Sequence, residues 1–176
     1  MKKELLVLLV TVTIFNASMV TGQENINLKG AKSSTTVNPN FAKGKMQIGI
    51  EGLSFGWGYG RVSANIGLRY GYFVANNSLL FVNGEVGTWG NEMQTYKLGL
   101  HFRKYFTKNK LQPYVQLGTN TGLNNFFNND IDMYGEISIG GGVSYQIGKF
   151  NFEMGMQLNI WDKANFKPTI GVSYTF

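Results

Sequence analysis

His101 is the one histidine in a chain of 176 residues, and imidazole is the side chain best suited to moving a proton near neutral pH. General-base work needs a hydroxyl or carboxylate partner within hydrogen-bond reach. No Gly-x-Ser-x-Gly element accompanies His101, and Ser63, Ser138 and Ser144 fall in other segments, so a structural role is expected for it. Asp130 and Asp132, beside Asn128 and Asn129, carry oxygens that suit Ca²⁺ but lack the spacing and closing Glu of a calcium loop. Gly140-Gly141-Gly142 is followed by no Lys-Ser/Thr pair, so it is not a phosphate cradle. The absence of cysteine excludes thiol catalysis, disulfides and a Cys-ligated metal. No catalytic residue, cofactor or metal is expected.

What remains is a set of opposed charges. Glu51, Glu85, Glu136 and Glu153 can offset Arg69, Lys97, Arg103 and Lys167. Stepping two residues at a time places each of these, and His101, on the polar side of an alternating run, the period of a β-strand. The cleanest run sets Phe150, Phe152, Met154, Met156, Leu158 and Ile160 against Asn151, Glu153, Gly155, Gln157 and Asn159. The last sets Pro168, Ile170, Val172, Tyr174 and Phe176 against Lys167, Thr169, Gly171, Ser173 and Thr175. Eight such runs are expected. The first, Met46, Ile48 and Ile50, falls out of phase with Leu53 and Phe55, which predicts a bulge or an early loop near Gly52. Tight turns are expected at 75–78, 107–110 and 148–149, and longer polar loops at 89–94 and 121–132.

Alternation alone does not say which face is inside. A soluble ligand-binding barrel alternates with its apolar residues inward. Here the polar face is mostly Gly, Ser, Thr, Asn and Gln with isolated charges of both signs, where a water-facing sheet would be rich in Lys and Glu. Aromatics also gather at the strand ends: Trp57, Trp89, Trp161, Tyr96 and Phe166 toward the longer loops, Tyr72, Phe73, Phe106, Phe150, Tyr174 and Phe176 toward the tight turns. Two aromatic girdles around an aliphatic band match two membrane interfaces. The expected arrangement is apolar outside, polar and self-neutralising inside. Composition agrees: 15% charged residues, 14% aromatics and 23 glycines, against about a quarter charged in soluble domains. No apolar run reaches the roughly 18 residues of a membrane helix.

Ahead of the strands, Lys2 and Lys3 precede the apolar stretch 5–15 and the small or polar Ala17, Ser18, Thr21 and Gly22, the order of a secretory signal peptide over residues 1–22, cleaved before Gln23. Residues 23–44 are polar and aperiodic and read as a flexible lead-in, leaving 45–176 as the barrel. Lys43, Lys45, Lys104, Lys108, Lys110 and Lys149 gather at the turn ends and suit anionic lipid headgroups. They are not interleaved with stacking aromatics, so nucleic acid is not an expected partner. Phe126 and Phe127, at the tip of the longest loop, are candidate contacts for a surface ligand of unknown identity.

The ending Thr169-Ile170-Gly171-Val172-Ser173-Tyr174-Thr175-Phe176 resembles the terminal β-signal of bacterial outer-membrane proteins: a polar residue, a glycine two on, then aromatics at the antepenultimate and final positions (Thr169, Gly171, Tyr174, Phe176). Residues 45–176 look like a small outer-membrane barrel of the OmpA/OmpX type. That resemblance implies an all-β, eight-stranded, antiparallel, up-and-down transmembrane β-barrel in the bacterial outer membrane, inserted by the barrel assembly machinery among outer-membrane lipids. An eight-stranded barrel is about wide enough for its own side chains, so a side-chain plug and a structural or surface-contact role are expected, without enzymatic activity. The alternatives are a small gated channel or a lipid-modifying outer-membrane enzyme using His101.

Overall fold

The computed structural model describes residues 38–58, 61–89, 93–106, 109–126, 131–160 and 164–176, with the side chains of 53–58, 61–63, 89, 93, 126, 131, 164 and 165 outside that description. The signal-peptide reading of 1–22, and Trp161 and Phe127, lie outside the described residues, as do the side chains of Trp57, Trp89 and Phe126.

Eight strands form one closed sheet in chain order: β1 (Met46–Gly58), β2 (Arg61–Ala75), β3 (Ser78–Trp89), β4 (Met93–Tyr105), β5 (Leu111–Phe126), β6 (Ile131–Ile147), β7 (Phe150–Ile160) and β8 (Ala164–Thr175). Each pairs antiparallel with its neighbour, and β1 closes on β8 through Gln47↔Thr175, Ile48↔Tyr174 and Ile50↔Val172. Closure removes both sheet edges, which matters where no water can satisfy them. No described helix is long and apolar enough to cross a membrane.

The phase break in β1 is a bulge. Its register shifts between Glu51 and Ser54 against β2 and between Ile50 and Leu53 against β8. Gly52 sits in the gap at φ +77, a conformation that L side chains rarely adopt. Two-residue turns join β2 to β3 at Asn76-Asn77, with Asn77 at φ 60, and β6 to β7 at Gly148-Lys149.

The expected longer loops are largely strand. β5 runs to Phe126 and β6 starts at Ile131, so only 127–130 separate them, and only 90–92 separate β3 from β4. The β5–β6 ladder stays in register from Leu111↔Tyr145 to Asn125↔Ile131. These strands, at 16 and 17 residues, exceed the 9–11 that span a bilayer. The excess stretch carries Thr121, Asn124, Asn125 and Asp132, and its outward positions mix the polar Thr121 and Asn125 with the exposed Leu123 and Met133.

The apolar side chains of the alternating runs face out. Leu68 is 65% exposed, Met154 63% and Val82 47%, while Glu51, Arg69, Arg103, Glu136, Glu153 and Lys167 are buried and Glu85 and Lys97 half-buried. A water-soluble barrel reverses this. An exposed aliphatic band closed around polar side chains is stable only where hydrocarbon surrounds it, and the fold is that of a transmembrane barrel.

Residues 38–44, the end of the segment read as lead-in, are packed against the barrel's turn end. A single 3₁₀ turn, Pro39–Phe41, is capped by the Asn38 side chain accepting from the Asn40 amide at 3.0 Å. The apolar burial that the stretch lacks as a whole is concentrated in Phe41, which has no exposed surface.

Candidate functional site

Inward positions of four strands bring four charges together. Glu51 comes from β1, Arg69 from β2, Arg103 from β4 and Glu153 from β7. Arg69 Nη1 donates to Glu51 Oε2 at 2.5 Å and to Glu153 Oε2 at 2.7 Å, and its Nη2 donates to Glu153 Oε1. Arg103 Nη1 donates to Glu153 Oε2 at 2.5 Å and Nη2 to Glu51 Oε2 at 3.2 Å. Gln116 accepts from Arg103 Nε at 3.0 Å, and Ser173 donates to Glu153 Oε1 at 3.2 Å. The four formal charges sum to zero, and each carboxylate meets both guanidiniums. Buried ions persist only with such pairing and hydrogen bonding.

Toward the loop end lies a second neutral set. Lys97 Nζ donates to Glu136 Oε1 at 3.0 Å, and Asn120 Nδ2 donates to the same oxygen at 2.9 Å. Lys167 pairs with Glu85 across the lumen, from β8 to β3. Lys97 Nζ also stands 5.6 Å from the centre of the Tyr134 ring.

Below the tetrad, toward the turn end, the interior becomes aromatic. Phe81 lies under both guanidiniums, 5.5 Å from Arg69 Cζ and 5.1 Å from Arg103 Cζ, and Tyr114 covers Arg103 at 4.2 Å. Cation–π contacts of this kind strengthen where water is excluded. Phe41, Phe73, Leu79, Tyr105 and Tyr114 complete the floor. Phe73, placed by sequence in the outward turn-end girdle, faces in and is fully buried. Its neighbour Tyr72 holds the outward phase of β2, and period two leaves Phe73 no other side.

Tyr96 and Phe166 are exposed toward the loop end, and Tyr72, Phe106 and Phe150 are exposed toward the turn end. At the chain terminus, Gly171 is buried and Thr169 half-buried, while Tyr174 packs edge-on to Phe150 at 5.1 Å. Phe176 exchanges two backbone hydrogen bonds with Met46, both 2.9 Å, so the last residue helps close the seam. Phe41, Phe81, Tyr105, Tyr114 and Asn120 were not singled out by sequence. Phe81 and Tyr114 share the phase of the inward polar residues, and that phase was the signal available.

His101 sits between tetrad and outer pair, stacked on Phe81 with ring centroids 5.1 Å apart. Its Nε2 meets Asn120 Oδ1 at 2.8 Å, and its Nδ1 has no partner among the described residues. Among the described residues neither nitrogen meets a hydroxyl or carboxylate, so none of them forms a general-base pair with His101. No described cluster of His, Asp and Glu has the shape of a metal site. The imidazole fits because Gly118 faces it: a methyl group there would overlap the ring and the Leu100 carbonyl. Gly118→Ala is therefore expected to lower unfolding free energy by about 1–3 kcal/mol through overpacking, read as a lower urea midpoint of the refolded barrel. An unchanged midpoint would mean that the ring yields freely.

No family model matches the chain, and no curated protein sequence matches it. Among solved structures it is similar to the N-terminal β-barrel domain of Pseudomonas aeruginosa OprF, with 18% identity, a TM-score of 0.63, and 76% of this chain and 98% of that one covered. It is similar to Neisserial surface protein A, with 15% identity and a TM-score of 0.60 over 75% of this chain and 96% of the other. A third likeness is to the Yersinia pestis outer membrane protein Ail in a phospholipid bilayer nanodisc, with 15% identity and a TM-score of 0.51, covering 76% of this chain and all of that one. Ail has also been solved in complex with the heparin analogue sucrose octasulfate. At these identities the likeness is one of fold: an eight-stranded barrel.

Proposed function

We propose that the chain is an integral protein of the bacterial outer membrane, a barrel with a side-chain-filled lumen that serves as an envelope scaffold and presents its loop ends to partners outside the cell. The observation that carries this reading is the exposed aliphatic band around a buried, charge-balanced interior. A filled interior favours a scaffold over a pore, and a lumenal His101 without a hydroxyl or carboxylate partner favours it over an enzyme. The lysines at the turn end lie where a periplasmic leaflet would supply anionic headgroups. Thr169, Gly171, Tyr174 and Phe176 are the residues that the assembly machinery would read.

Extracellular contact belongs to the tall β5–β6 hairpin, from the end of β5 at Phe126 to the connection that holds Phe127. The sulfated-sugar binding of Ail is not carried over. The loop-end segments 59–61, 90–92, 127–132 and 161–163 hold Arg61 and Lys163 against Glu92, Asp130, Asp132 and Asp162, a balance that does not attract a polyanion.

Fractionation of expressing cells, with gels run before and after boiling, tests the reading. The protein is expected in the outer-membrane fraction with a boiling-dependent shift in mobility, and recovery in the soluble periplasm would overturn the proposal. In planar bilayers no discrete conductance steps are expected at high salt. Regular steps would replace the scaffold with the channel.

A further inference from the structure

Residues 38–43 cross the turn-end mouth from one wall to the other. At one side the side-chain Nδ2 of Asn38 donates to Gln146 Oε1 and the side-chain Nδ2 of Asn40 to the Gly148 carbonyl, each at 2.5 Å. At the other, the Asn77 amide donates to the Phe41 carbonyl at 2.7 Å and the Lys43 amide to Asn76 Oδ1 at 3.0 Å. The anchors are the β6–β7 and β2–β3 turns, four strands apart and thus opposite each other in a closed eight-stranded barrel. Between them Phe41 drops into the aromatic floor, stacked on Phe73 at 5.1 Å and tilted against Tyr105 at 4.3 Å.

The segment joins β1 at Gly44, whose φ of +93 sets a sharp corner that side-chain-bearing residues rarely take. Beyond that corner, β1 is held by its ladders to β2 and β8, which begin at Met46 and Gln47. None of those ladder bonds involves 38–43. The segment therefore has its own set of contacts, separable from those that close the barrel.

We propose that residues 38–43 are a hinged stopper that seals the lumen against the turn side, and that it leaves the mouth by swinging at Gly44 while all eight strands stay paired. Phe41 is its sealing group. With it displaced, Phe73 and Tyr105 lose their cover, and small solutes reach the lumen as far as the Arg69–Glu153 layer. The stopper does not depend on the scaffold reading: a sealed mouth serves a barrel of any role, and its test does not use cell localisation or conductance.

The cysteine-free chain gives a clean probe. Ser144 is buried, its Oγ has no described partner, and it faces in one inward step above Gln146, which holds the stopper. Ser144→Cys places a thiol there with little change of shape. Refolded Ser144→Cys protein is to be labelled with a small cationic methanethiosulfonate, alone and combined with Phe41→Asp, whose carboxylate cannot stay in the floor, or with the milder Phe41→Ala. Labelling is expected to be slow with native Phe41, to accelerate by about tenfold or more as local opening becomes frequent, and to be fastest with Asp. The folded, heat-modifiable band is expected in every case. Equal rates with and without Phe41, fast or slow, would overturn the stopper. Loss of the folded band in Phe41→Ala would also overturn it, by showing that Phe41 is part of the barrel's own core.

Discussion

Glu153→Leu is expected to lower the stability of the refolded barrel by about 3–5 kcal/mol, the range for breaking a buried ion pair by removing one partner. Glu153 accepts from both Arg69 and Arg103, so its loss leaves two buried guanidiniums sharing Glu51 alone. Their side chains are 1% and 2% exposed, too little for solvent to take over the carboxylate's part. Glu153→Leu with Arg103→Met restores the charge balance as one Arg–Glu pair, and is expected to lose clearly less than the sum of the two single changes. Urea midpoints in lipid vesicles read both quantities. A Glu153→Leu loss below about 1 kcal/mol, the scale of an exposed pair, would show that the tetrad is solvated and that the interior is not a plug.

Met154→Arg tests the outer face. Met154 lies midway along β7, 63% exposed, with Val143 and Ile170 as register partners. In water, a substitution at so exposed a site stays within about 0.5 kcal/mol. At the middle of a bilayer, arginine on the lipid face costs about 2–4 kcal/mol. The larger loss is expected, read by the same urea midpoints, with Asn109→Arg in the exposed β4–β5 turn as a near-neutral control. Equal, small effects at both positions would place Met154 in water and remove the membrane reading.

Much of this fold is legible in the sequence because one physical demand repeats along it. Every second residue must suit hydrocarbon, so Met154, Met156 and Leu158 announce their face, and Glu153 is turned inward by its neighbours. The bulge at Gly52 shows as a broken phase for the same reason. The tops of β5 and β6 are not legible: beyond the bilayer both faces meet polar surroundings, and Asn124, Asn125 and Asp132 look like loop. Pairings inside the lumen are also hidden. Lys167 on β8 meets Glu85 on β3, a contact fixed by strand tilt and stagger rather than by spacing. The aromatic floor was obscured by a rule of thumb. Aromatics near strand ends are expected at membrane interfaces, yet Phe73 and Phe81 follow their phase instead. Phe41 lies in a stretch with no period, where only its partners across the mouth identify its role.

The tetrad also dictates an order of events during folding. A nascent barrel of the first four strands holds Glu51, Arg69 and Arg103, one carboxylate against two guanidiniums, and the compensating Glu153 is 84 residues beyond Arg69. Contacts so far apart in the chain carry a loop-closure cost and form late. An early sheet must therefore stay an open, wetted trough, and the cylinder shuts in one cooperative step when the C-terminal hairpin arrives. Until that hairpin arrives, Arg69 and Arg103 have only Glu51 between them.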